Sequence, residues 1–271
     1  MAGAIFAFSG KGGAGKTTLA AMVLRQLLRV NVKPVLGVDA DPNATLALAL
    51  GVQAGGSIAD LRDRMGQAAQ EISEIPKERL LDQWLAELLS EEVGFDLLTM
   101  GRPEGPRCYC YVNALLRRYL QELRGSYQAV VVDCEAGMEY LSRLTVDDVE
   151  TLVLVAEATP VGLASARRIA QLADALPVQV HRRVLALNNL GRGGPAEAGA
   201  AWPGPDLAQA PQVDATVRVP FDADLYRRCV AGRPIDDSAG AAARPAVEEL
   251  TGLCLGRPAE APKSQQKEPI A

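Results

Sequence analysis

The run Gly10-Lys11-Gly12-Gly13-Ala14-Gly15-Lys16-Thr17-Thr18 decides the fold of this chain. It stands between the apolar, β-rich stretch Ala4 to Phe8 and the helical pattern Leu19 to Leu28. Strand, glycine-rich loop, helix is the phosphate-loop arrangement. Without side chains in the way, the N–H groups of Gly12, Gly13, Ala14 and Gly15 converge on phosphate oxygens, and the helix opening at Lys16 to Thr18 adds the positive end of its dipole. Lys16 is placed for the β and γ phosphates of ATP, or the β phosphate of ADP, and the Thr17 hydroxyl for Mg²⁺.

Outward from this loop, further short apolar runs recur at Pro34 to Val38, Phe95 to Met100, Ala129 to Val132, Thr151 to Val155 and Val184 to Leu187. Helical patterns alternate with them, as at Val112 to Leu123 and Val161 to Leu176. This alternation predicts an α/β fold: a doubly wound, mainly parallel sheet with helices on both faces, binding its ligand beyond the strand carboxyl ends. One domain over residues 1–255 is expected, with a mostly helical excursion at 55–92 broken by Pro76. A Gly/Ala/Pro-rich loop at 191–212 and a proline-broken, disordered tail at 256–271 complete the organisation.

At 271 residues the chain can bury a sizeable core, and 48% hydrophobic against 23% charged residues marks a folded, soluble protein. A net charge of −5 and a pI near 5.1 argue against a nucleic-acid-binding surface, which needs a basic face. The absence of a long apolar run or a leader pattern argues against a membrane and for a cytoplasmic location. The odd count of five cysteines argues against a disulfide framework, and any clustered ones then read as metal or redox ligands. The single histidine, His181, reads as a surface loop residue.

Carboxylates gather at strand ends. Val38-Asp39-Ala40-Asp41-Pro42-Asn43 follows the second strand, and Val132-Asp133-Cys134-Glu135-Ala136-Gly137 follows the run at Ala129. Asp133 is placed to hold Mg²⁺, through a water, beside the Thr17 hydroxyl. Lys11 needs a separate explanation, because a loop that already has Lys16 gains little from a second ammonium at its own triphosphate. With this extra lysine the loop resembles that of the deviant Walker A ATPases, a class containing cell-division positioning, plasmid-partition and nitrogenase-reductase-like proteins. The resemblance implies that Lys11 reaches across a homodimer to the partner's nucleotide. It implies that Asp41 orients the attacking water with support from Asp39, and that Gly137 lies near the γ-phosphate. It also implies that Asn188, with Asn189 and the Val219-Pro220-Phe221-Asp222 turn as further candidates, meets the adenine.

Cys108-Tyr109-Cys110 is a weak motif by spacing alone, yet its chemistry is restrictive. Two thiolates fill half of a four-coordinate site, and a two-fold axis completes it. The surrounding Met100-Gly101-Arg102-Pro103-Glu104-Gly105-Pro106, running into Cys108 to Asn113, and the stretch Asp133 to Arg143, apart from Tyr140 where a histidine is usual, resemble the CooC-type accessory ATPases that mature nickel-containing carbon monoxide dehydrogenase. That resemblance implies a dimeric, Mg-dependent ATP hydrolase and metallochaperone. It would hold Ni²⁺ or Zn²⁺ on Cys108 and Cys110 of both protomers and serve carbon monoxide dehydrogenase or an acetyl-CoA synthase. Cys134 reads as a third ligand or as a buried small residue, Cys229 and Cys254 as core. The alternatives are a positioning ATPase, which would require a basic face or an amphipathic tail, and an iron–sulfur reductase-like ATPase, whose ligands come from well-separated segments.

Overall fold

The computed structural model describes residues 3–61, 84, 86–101, 121, 123–134, 148–190 and 210–257. Their strands are β1 (Ala4–Gly10), β2 (Val35–Ala40), β3 (Ser90–Glu92), β4 (Phe95–Thr99), β5 (Ala129–Cys134), β6 (Asp148–Glu157), β7 (Gln179–Leu190) and β8 (Ala215–Pro220). They form one eight-stranded sheet in the order β3-β4-β2-β5-β1-β6-β7-β8. Every pairing is parallel except β3 with β4. The mainly parallel sheet read from the sequence is therefore present, with the phosphate-loop strand inside it.

Alternate residues of each central strand serve opposite faces. Phe6 and Phe8 pack with Leu19, Leu24 and Leu27 of α1 (Lys16–Arg29), Leu46 and Leu50 of α2 (Thr45–Leu50), and Val247 and Leu250 of α5 (Arg244–Cys254). Ile5 and Ala7 pack on the other side with Leu163, Ile169 and Ala173 of α3 (Pro160–Ala175). Helices thus cover both faces, which is why Val130 to Val132 and Leu152 to Val155 are continuously apolar. Each fully buried Phe or Leu contributes roughly 1.5–3 kcal/mol by leaving water.

Several sequence expectations are corrected. β6 and β7 run well past the apolar runs that announced them, because parallel pairing from Asp148↔Gln179 to Glu157↔Asn188 continues through polar positions. His181 accordingly lies within β7 rather than in a loop, and its Nε2 meets Asp148 Oδ1 at 2.5 Å. β8 was expected only as a turn at its end; it alternates, with Val217 and Val219 buried and Arg218 exposed, as an edge strand does. β3 has no apolar residue to betray it and exists through its antiparallel pairing with β4. It also ends the 55–92 excursion in a strand. Residues 62–83 of that excursion, most of the Val112 to Leu123 pattern, residues 191–209 and residues 258–271 lie outside the described residues.

The wall beyond β8 is fixed by one buried carboxylate. Asp222 Oδ1 accepts from the N–H groups of Asp224 (2.9 Å) and Leu225 (3.0 Å), capping α4 (Ala223–Val230). Its Oδ2 accepts from Ala242 (2.8 Å) and Ala243 (3.3 Å), tying in the approach to α5. Burial pushes this carboxyl up, but the four N–H groups outweigh it and hold it below the usual carboxylate range. Stability from Asp222 is thus present above the unfolded carboxylate range and is lost as pH falls through its lowered folded value. Asp222→Ala is expected to cost roughly 2–3 kcal/mol at neutral pH and to reduce acid sensitivity, measured by urea unfolding at pH 7 and pH 3.

Candidate functional site

The glycine loop leaves β1 at the carboxyl edge of the sheet. At Gly10 a β-carbon would stand 2.2 Å from the Val155 carbonyl oxygen, so the strand reaches its neighbour only because Gly10 has none. Gly15 takes φ +94° immediately before α1, and a β-carbon there would meet Asn188 Nδ2 at 2.1 Å. α1 begins without a side-chain cap and without an acidic residue in its first turn. Its leading N–H groups are therefore available to an anion, as a phosphate site requires. Lys16 is buried, its Nζ 3.4 Å from the Lys11 carbonyl oxygen. Lys11 itself is exposed, as are Gly12 and Gly13.

The cation side is built from two strands and a helix. The Thr17 hydroxyl donates to Asp133 Oδ2 at 2.6 Å, and Thr45 Oγ1 lies 3.4 Å from the same hydroxyl. Asp133 is fully buried, and its second oxygen, Oδ1, has no hydrogen-bond partner. An orphaned carboxylate oxygen beside a threonine hydroxyl is the hard-oxygen donor set that Mg²⁺ takes, so these residues fit that ion. Burial pushes the Asp133 carboxyl up to about 7; the Thr17 bond opposes this, the Asp39 and Asp41 charges add to it, and Lys16 lowers it.

Asp39 and Asp41 occupy different environments. Asp39, paired in register with Asp133, is fully buried. Its Oδ2 accepts from Leu46 N at 2.6 Å and its Oδ1 from Asp41 N at 3.3 Å, which anchors the start of α2 and the loop before it. Burial raises this carboxyl to about 6. Asp41 is half-buried, and its Oδ1 accepts from Asn43 N (2.9 Å) and Nδ2 (2.8 Å) in a closed Asx turn.

On the other side of the loop, a cleft of about 650 Å³ including its mouth lies between the glycines, β8 and α4. Asn188 and Pro220, both singled out from the sequence, line it together with Gly13, Gly15 and Thr18. Asn188 is buried and donates from Nδ2 to the Ala14 carbonyl at 2.8 Å, so it also braces the loop. The sequence reading missed Tyr226 and Cys229 of α4, which line the same cleft; the cap at Asp222 was the signal for that helix. Cys229 is exposed rather than core, its Sγ 3.9 Å from Thr18 Oγ1. Cys254 is buried as expected, and burial pushes its thiol up to about 12. Cys134 is a buried small residue: burial first, then the Asp133 charge, push its thiol far above the usual range, which disfavours the thiolate a metal needs. Cys108, Cys110 and Gly137 lie outside the described residues, and the structure describes only the backbone of Asn189.

A glycine loop opening a helix, a buried lysine, a Thr–Asp cation pair and an adjoining base-sized cleft define a P-loop ATPase. The profile for the CobQ/CobB/MinD/ParA nucleotide-binding domain matches residues 5–191, and the chain belongs to that family. ATP or ADP with Mg²⁺ is the cofactor set of this family. The chain is 40% identical over 179 residues to an uncharacterized ATP-binding protein of Methanocaldococcus jannaschii, spanning 65% of this chain and 70% of that one. It is 31% identical over 238 residues to the carbon monoxide dehydrogenase accessory protein CooC of Rhodospirillum rubrum, spanning 83% and 87%. The septum site-determining protein MinD of Pyrococcus horikoshii, solved with Mg-ADP, shares the fold at a TM-score of 0.63 and 23% identity, with 94% and 99% covered.

Two outcomes follow from this geometry. In nucleotide-free, EDTA-treated protein, the raised carboxyls of Asp39 and Asp133 favour folding below about pH 4, and that contribution is lost as pH rises through about 6 and about 7. Asp133→Asn, which stays neutral, should flatten this decline and recover about 2–3 kcal/mol at pH 8, read from urea midpoints at pH 5 and pH 8. Maleimide labelling followed by peptide mass spectrometry should modify Cys229 and spare Cys134 and Cys254, and Mg-ADP should slow the Cys229 reaction.

Proposed function

We propose that this protein is a dimeric ATPase that binds Ni²⁺ between two protomers and hands it to a nickel enzyme of the carbon monoxide dehydrogenase class. The observation that carries this reading is the Cys108-Tyr109-Cys110 pair in a chain so extensively similar to CooC. Each protomer supplies two thiolates, and two-fold symmetry makes a four-sulfur site that accepts Ni²⁺ or Zn²⁺. The likeness to cell-division ATPases supports the fold alone.

In this reading Lys16 binds the β and γ phosphates of its own nucleotide, and the exposed Lys11 reaches the partner's. Asp133 and Thr17 hold Mg²⁺, which neutralises developing charge on the phosphates when bound. Asp41 orients the attacking water, and Asp39 keeps Asp41 and α2 in place. Gly137 lies by the γ-phosphate, and Asn188 and Pro220 meet the adenine. The arm bearing the cysteines leaves β4 at Met100, whose N–H donates to the Asp39 carbonyl at 2.9 Å. The strand end that precedes the cysteines in sequence is thus bonded to the strand end that carries Asp39, which supports coupling between metal and nucleotide.

The test combines two substitutions at each site. Lys16→Ala should weaken ATP binding, whereas Lys11→Ala should keep it while suppressing hydrolysis and ATP-dependent dimerisation. Replacing Cys108 and Cys110 together with Ala should remove about one thiolate-bound Ni²⁺ per dimer, with its sulfur-to-metal absorption, and leave monomer ATP binding intact. A full metal equivalent per monomer after that replacement would overturn the shared site. Bound metal should also be released as pH falls, because protons compete for the thiolates.

A further inference from the structure

α2 begins beside the cation pair. Thr45, its first residue, places Oγ1 3.4 Å from Thr17 Oγ1, while the Thr17 hydroxyl donates to Asp133 Oδ2 at 2.6 Å. The Thr17 proton is thereby committed, so any bond between the two threonines must be donated by Thr45. At 3.4 Å that contact is longer than the roughly 2.5–3.0 Å of a well-made O–H···O bond. Among the described residues the Thr45 hydroxyl has no other hydrogen-bond partner, and α2 starts without a side-chain cap. A hydroxyl held next to the cation pair is thus left with its lone pairs unused.

Its surroundings fix that hydroxyl in place. Asp39, at the end of β2, accepts from Leu46 N at 2.6 Å and from the Ala47 N–H, so the first turn of α2 hangs on a fully buried carboxylate. Ala44 turns the chain into the helix at φ 52° and ψ 50°, a left-handed conformation that an alanine keeps only where its surroundings impose it. At the far end, Arg25 donates to the Leu50 carbonyl at 2.8 Å and Ile235 N to the Ala49 carbonyl at 2.8 Å. The helix is pinned at both ends, and Thr45 stands half-buried beside Thr17 as a result.

Thr17 Oγ1 is the common neighbour of Asp133 on one side and Thr45 on the other, and Asp133 Oδ1 is buried without a partner. Neighbouring oxygens in an octahedral Mg²⁺ shell, with bonds of about 2.0–2.1 Å, stand about 3.0 Å apart. The two threonine hydroxyls lie within about 0.4 Å of that spacing. We propose that Thr45 is a further residue of the cation site: its hydroxyl joins Thr17 and Asp133 in the oxygen shell of the ion and so ties α2 to the ion's presence. The proposal rests on the reading that Thr17 and Asp133 hold the cation, and it is independent of nickel transfer. A purely structural Thr45, with its methyl packed and its hydroxyl idle, would tolerate valine and suffer from serine; a cation-site Thr45 does the reverse.

The test titrates the full chain and ADP with Mn²⁺, an EPR-visible substitute for Mg²⁺, keeping the nucleotide below the protein concentration so that it is bound. Thr45→Val, which keeps the side chain's shape and removes the hydroxyl, should weaken Mn²⁺ binding about tenfold or more, whereas Thr45→Ser should stay within about twofold of wild type. ADP affinity measured in EDTA should be the same in all three proteins. Unchanged Mn²⁺ affinity in Thr45→Val, alongside weakened binding in Thr17→Val, would overturn the proposal and leave the Thr17–Asp133 site standing. Unchanged affinity in both would overturn that site as well. A Thr45→Ser protein as weak as Thr45→Val, or a loss that only follows weaker ADP binding in EDTA, also overturns it. In the wild-type ADP complex, added Mg²⁺ should slow amide exchange at Ala47 to Leu50; no slowing would overturn the tie to α2, and this arm stands even if Thr45→Val fails to fold.

Discussion

The bond from the Thr17 hydroxyl to Asp133 Oδ2, 2.6 Å long and spanning 116 residues, is the contact around which the site is organised. It exists because β1 and β5 are parallel neighbours with Phe8 opposite Asp133, so the loop leaving β1 and the carboxylate ending β5 arrive at one edge. The same register continues into β2, where Asp39 stands opposite Asp133. Three adjacent strands thereby deliver a phosphate loop, a cation carboxylate and an anchor for α2 to one place.

That convergence carries an electrostatic cost. Asp39 and Asp133 are fully buried neighbours, and desolvation raises both carboxyls. The fold offsets this for Asp39 with backbone N–H groups from Leu46 and Asp41, so Asp39 is satisfied structurally. Asp133 keeps one oxygen without a partner. A divalent cation would be the natural complement to that oxygen.

The wall of the cleft beyond β8 has a different origin. Asp222 gathers four backbone N–H groups from α4 and the approach to α5, and so sets where Tyr226 and Cys229 face the loop. The segment after α4 returns to α2, since Ile235 N donates to the Ala49 carbonyl at 2.8 Å at the far end of that helix. Cation side and base side are consequently joined by one short helix.

How much of this was legible beforehand varies with the kind of signal. The loop from Gly10 to Thr18 specified strand, turn and helix through glycine geometry and a helix start, which are local properties. Continuous apolar runs specified a sheet buried on both faces. Asn188 and Pro220 stand out only through the family resemblance, and the fold brings them into one cleft. β3, the polar ends of β7, the exposure of Cys229 and the anchoring role of Asp39 were not legible, because each depends on what lies opposite. Glu91 and Glu92 carry no apolar signal and become strand only through pairing with β4. Cys229 stands one helical turn after the buried Leu225 but faces an open cleft. By itself, then, the sequence determined the class of fold and the phosphate chemistry, since both reside in contiguous residues whose backbone geometry is set locally. The tertiary structure decided which carboxylate meets Thr17, which one holds a helix and which of the described thiols is reachable, because those depend on register between strands distant in the chain.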